Sequence, residues 1–171
     1  MYLHYTLKLE VCQYAQHFFA KNLFQCYTYM HNYLKGRLVM STFRNLDEAK
    51  KFFAKDLFAT ENGITLDEIG EGTACASVVL NDGHKNAQGG VMGGVIFTLA
   101  DLAFAAASNN LHCPSVSQQV SINFLSGARG DKLFARARCI KDGSSTGVYA
   151  VMVTDSLGNE VALFTGTAFK K

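Results

Sequence analysis

The residues that could do chemistry gather between His84 and Asp101: a polar stretch, His84-Lys85-Asn86-Ala87-Gln88, two glycine pairs, Gly89-Gly90 and Gly93-Gly94, and an apolar run carrying the carboxylate of Asp101. A glycine-rich loop that opens a helix exposes backbone N–H groups with no partner and a positive partial charge. Such an end can hold an anion or polarise a carbonyl oxygen. It can equally be a tight turn whose glycines permit close packing, and the lysine and hydroxyl of a phosphate loop are missing. Asp101 is the only charged residue between Lys85 and Arg129, and its neighbours Leu99, Ala100, Leu102, Ala103 and Phe104 are apolar. Aspartate is a poor helix former, and a buried carboxylate without a partner is costly. Two readings compete: a hydrogen bond to backbone or to a neighbouring chain, or a desolvated carboxylate of raised pKa serving as general base or nucleophile. His84 reads as a structural hydrogen-bonder or a substrate contact. His112 has no nucleophile beside it, and nothing places a base beside Cys113.

Elements must position these groups. Asn45 and Glu48 have the spacing of a capping box, Leu46, Ala49, Phe53 and Leu57 follow at helical intervals, and Gly63 supplies the stop. The stretch Ile64 to Leu80 predicts two strands that turn at Gly70-Glu71-Gly72, closed by Asn81-Asp82-Gly83. After Gly93-Gly94 comes the apolar helix, then four strand candidates: Ser115 to Leu125, Lys132 to Lys141, Gly147 to Thr154, and Glu160 to Phe169. Their separators have turn compositions at hairpin distance, which predicts successive strands paired antiparallel. One hydrophobic helix followed by a meander predicts an α+β domain, its antiparallel sheet wrapped around the central helix.

The 171 residues suit one domain, and a formal charge of +2 with scattered lysines and arginines excludes a nucleic-acid footprint. Five widely spaced cysteines without a CxxC pair argue against a zinc site and a disulfide framework. No stretch has the pattern of a secretory signal, so the expected location is cytoplasmic. The apolar segment Val91 to Ala107 is interrupted by Asp101 and falls short of the roughly 20 residues that span a bilayer, so a buried helix, not a membrane span, is expected. Residues 1–39 differ: they are rich in Tyr, Phe and His, and a helical stripe runs through Phe19, Leu23, Tyr27, Met30 and Leu34. They read either as a helix packed on the domain or as an extension outside it, with the domain proper at 40–171. No chemistry is assigned to them.

The pattern H-x-N-x-x-G-x-x-x-G-G followed by L-A-D-x-A-F-A resembles the signature of hot-dog-fold acyl-CoA thioesterases of the phenylacetate-degradation, PaaI-like type. Thr146-Gly147-Val148-Tyr149 and Val161-Ala162-Leu163-Phe164-Thr165-Gly166 resemble that family's last two strands. The resemblance runs from Asn45 to the C-terminus. It implies hydrolysis of an acyl-CoA thioester to free acid and coenzyme A, with no metal and no cofactor beyond the coenzyme A of the substrate. By the same resemblance the Gly93 N–H polarises the thioester carbonyl, Asn86 positions that carbonyl or the attacking water, and Asp101 activates the water or attacks directly. His84, Met92, Gly94 and Ser117 would complete the substrate contacts, Ser117 as a polar partner of the water. Where the family often has His before the glycine pair, this chain has Met92.

Helix geometry adds a constraint of its own. Eight residues separate Gly93 from Asp101, and about 1.5 Å of rise per residue puts them roughly 12 Å apart along one helix. A short carboxylate does not cover that distance, so the site should pair Gly93 of one chain with Asp101 of another, in a homodimer or, as the resemblance implies, a homotetramer with shared sites. Two alternatives remain: a non-catalytic acyl-CoA-binding module, and a hydroxyacyl-thioester dehydratase, which is disfavoured because such enzymes rely on a catalytic histidine.

Overall fold

A computed structural model describes residues 41–171, and the stripe and boundary read on residues 1–39 lie outside the described residues. The chain runs α1 (Leu46–Phe53), α2 (Leu57–Glu61), β1 (Thr65–Gly70), β2 (Thr73–Val79), a 3-10 turn (Asp82–His84), α3 (Gly93–Leu111), β3 (Ser115–Phe124), β4 (Lys132–Asp142), β5 (Thr146–Asp155) and β6 (Glu160–Lys170). The Asn45 side chain accepts from the Glu48 N–H, the forward half of a capping box. The return half is diverted, since the Glu48 carboxylate takes the backbone N–H and guanidinium of Arg44 instead. The helix predicted from Leu46 to Gly63 is two short helices, with a break after Phe53. Gly63 does close the second, at φ 72°, where a side chain would be strained.

All six strands form one antiparallel sheet in the order β1-β2-β4-β5-β6-β3. The expectation that successive strands pair holds for β1-β2 and for β4-β5-β6, but not for β3, which pairs with β6 at the far edge. The turn-like segment 125–131 is a crossover, not a hairpin. Along β5 the buried positions Gly147, Tyr149, Val151, Val153 and Asp155 alternate with more open ones, the period of two of a strand covered on one face. That face wraps α3, in which Leu99, Ala100, Ala103, Phe104, Ala106 and Ala107 have no exposed surface.

Alanines let the strands close on the helix, and each large side chain sealed there contributes about 1.5–3 kcal/mol. The Phe104 ring meets Tyr149 at 5.4 Å and Phe164 at 5.7 Å between centroids. A Cβ at Gly166 would sit 3.0 Å from the Phe104 ring, which explains a glycine in mid-strand. The helix also runs further than its apolar stretch, to Leu111, with Asn109 and Asn110 buried. Both amides are occupied: Asn110 accepts from the Phe43 N–H and donates to Gly70 O, and Asn109 accepts from the Ser115 N–H. These bonds anchor the far end of α3 to the entry of α1, to β1 and to β3.

Candidate active site

The loop that delivers the chain to α3 is built from side-chain-to-backbone bonds. His84 is buried, its Nδ1 accepts from the Asn81 N–H at 3.2 Å, and its Nε2 therefore carries the proton and meets Asn62 O at 3.1 Å. Neither ring nitrogen is left for a ligand, so His84 takes the structural role the sequence allowed. Its carbonyl accepts from the Met92 N–H at 2.8 Å, and Lys85 bridges Val91, which folds residues 85–91 into a tight loop. Inside it the Asn86 Oδ1 accepts from the N–H groups of Gln88 and Gly90 at 2.9 and 3.1 Å. Two donors on that oxygen fix the amide's orientation. The Nδ2 group, a donor only, has no partner among the described residues.

Met92 stands at the N-cap of α3 and makes no side-chain bond to the helix end. Ser, Thr, Asp or Asn at that position would accept from a first-turn N–H; a thioether does not. The Val95 and Ile96 N–H groups reach Met92 O, which leaves the amides of Gly93 and Gly94 without an acceptor among the described residues. Two free N–H groups at the positive end of a helix 19 residues long form an oxyanion-type donor pair.

Asp101 lies two turns further along α3 and is partly buried between Ala100 and Leu102, which are buried. Burial pushes its carboxyl above the usual carboxylate range, the negative charge of Asp56 adds to the rise, and a hydrogen bond from Ser117 opposes it. Ser117 therefore stands beside Asp101 in the same chain, at the point where β3 bulges between Ser117 and Gln119 against β6. Asn86, Met92, Gly93 and Gly94 thus form one group, and Asp101 with Ser117 a second, about 12 Å along the helix by rise alone. No cluster of three or more His, Cys, Asp or Glu that could hold a metal ion occurs among the described residues.

A family profile of the thioesterase superfamily matches residues 88–162. The acyl-coenzyme A thioesterase PaaI of Escherichia coli K12 is 32% identical over 123 residues, covering 71% of this chain and 88% of that protein. The chain belongs to the thioesterase superfamily. Its fold is the hot-dog fold: the solved structure of the PaaI protein of the E. coli phenylacetic acid degradation operon superposes with a TM-score of 0.65 at 29% identity, covering 74% of this chain and 96% of that one. The smu.793 protein of Streptococcus mutans, solved bound to acetyl CoA, gives a TM-score of 0.60 at 34% identity, covering 63% and 88%.

Two residues near these groups escaped the sequence reading. Asp56 stands at the N-cap position of α2 without a side-chain bond to the helix, and its charge acts on Asp101; only its place just ahead of Leu57 could have flagged it. Phe124 ends β3 with its ring against Gly93, a contact across 31 residues of sequence that no local pattern announces.

Proposed function

We propose that this thioesterase hydrolyses acyl-CoA thioesters, with the Gly93 N–H on the thioester carbonyl and Asp101 of a second copy as the essential carboxylate. The observation that carries the reading is the uncapped glycine pair at the start of α3, a ready oxyanion site in a chain whose family hydrolyses thioesters. Asp101, its carboxyl pushed up by burial, removes a proton from water as the water oxygen attacks the carbonyl carbon. The oxyanion forms on the Gly93 amide, steadied by the donor Nδ2 of Asn86. The C–S bond then breaks, the leaving sulfur takes the proton back from Asp101, and free acid and coenzyme A result. Water, a base and an oxyanion donor are sufficient, so the reaction calls for neither metal nor redox cofactor.

Sharing of the site between chains is supported by the spacing on α3 and by the edge strand. β3 is ten residues long and largely exposed, with no strand paired to its outer side among the described residues, and such an edge is a template for pairing with another strand. Engagement of both His84 nitrogens weighs against a histidine-dependent dehydratase. The test is a panel of acyl-CoA thioesters followed by release of free thiol. Turnover of at least one member is expected, whereas binding of coenzyme A without turnover of any would make the protein a binding module.

A further inference from the structure

The helix start at Gly93 is polar, yet the side chains around it are not. Met92 is 52% exposed and Phe124 54%, so two large apolar side chains stand in the open beside two free amides. Both touch the glycines. A Cβ on Gly93 would lie 3.0 Å from Phe124 Cζ, and one on Gly94 3.5 Å from Met92 Cε. Every Cα–Cβ bond of a helix tilts toward its N-terminus. A ring in contact with the position a Gly93 Cβ would take therefore stands at the mouth into which the free N–H groups point.

We infer that Phe124, with Met92, is a specificity-determining residue that holds the acyl group and selects apolar acyl chains of several carbons, aliphatic or aryl, over acetyl. This rests on the proposed thioester hydrolysis at Gly93. A carbonyl oxygen held by the Gly93 N–H places the first atoms on either side of the carbonyl within reach of Phe124 and Met92. One side is the acyl chain; the other is the arm of coenzyme A, whose sulfur and two methylenes lead directly to an amide that needs hydrogen-bond partners. A phenyl ring and a thioether supply none, and burying an amide against them is unfavourable. An acyl chain has no such requirement and gains about fourfold in binding for each methylene removed from water.

The experiment compares Phe124→Ala and Phe124→Leu with the wild type on acetyl-CoA, hexanoyl-CoA and phenylacetyl-CoA, with thermal melts to check that both variants fold. Wild type should prefer the two larger groups. With two or three methylenes in contact, Phe124→Ala should lower kcat/KM for those two by about fifteenfold to sixtyfold, acetyl-CoA by less than about threefold, and Phe124→Leu should restore much of the hexanoyl rate. An equal loss on all three substrates would assign Phe124 to the coenzyme A arm and overturn the inference, as would unchanged rates. Wild type inactive on every acyl-CoA would instead refute the underlying hydrolase reading.

Discussion

Mixing two inactive variants tests whether an active site draws on two chains. Asp101→Ala removes the carboxylate, and Asn86→Ala removes both the free Nδ2 donor and the oxygen that holds the Gln88 and Gly90 amides. Each variant alone should be nearly inactive. The two positions are 15 residues apart in sequence, and α3 alone puts Asp101 about 12 Å from Gly93 along its axis. In a two-fold dimer each site then takes Asn86 and Gly93 from one copy and Asp101 from its partner. Random exchange after equal mixing makes about half the dimers mixed, and each mixed dimer has one intact site and one lacking both groups. Activity should therefore recover to about a quarter of wild type. Thiol release is followed over time while exchange is monitored with differently labelled subunits. Complete exchange without recovery would refute the reasoning and place both groups in a same-chain site.

Further outcomes follow from single residues. The acid limb of the pH–rate profile should lie above the usual carboxylate range, because Asp101 must be ionised and its pKa is raised by burial and by Asp56. Asp56→Asn should move that limb down and Ser117→Ala should move it up; shifts in the same direction would contradict the assignment. Met92→Asp supplies the missing cap and should raise stability in thermal melts by about 1 kcal/mol while lowering kcat, as a negative charge takes the place meant for the oxyanion. A faster enzyme would count against the amide pair. Asp155 accepts from the N–H groups of Arg129, Gly130, Leu157 and Asn159, and these bonds and the Asn159 side chain hold its carboxyl far below the usual range. A lowered pKa stabilises the fold fully above about pH 4 and less as the pH falls toward the lowered value. Asp155→Asn should therefore lower Tm at pH 7, and by progressively less as the pH is taken from about 4 down toward the lowered value; a loss that stays the same across that range would show that the charge is not what matters.

Local signals were legible where the cause is local. Alternation and turn residues placed the six strands within a residue or two, and the largely apolar segment from Val91 to Ala107, interrupted by Asp101, marked the helix. The glycine pairs and Asp101 stood out because they violate local preference: glycines at a helix start, a carboxylate among alanines and leucines. What stayed hidden depends on contacts distant in sequence. The placement of β3 beside β6 is a choice between two edges of the same sheet, and its short linker to β4 looks like any hairpin turn. The burial of Asn109 and Asn110 could not be read from their polarity, since only Phe43, Gly70 and Ser115 make it tolerable. Likewise the two bonds that occupy His84, from Asn62 and Asn81, become visible only once the loop is folded.

The central claim is that Asp101 is the carboxylate on which thioester hydrolysis depends. Asp101→Asn keeps the size of the side chain and removes its basicity. Purified at wild-type size and stability, and assayed on the best acyl-CoA of the panel, it should show a kcat lower by at least about a hundredfold. Retention of more than about a tenth of wild-type turnover, far above what loss of a general base allows, would contradict the account.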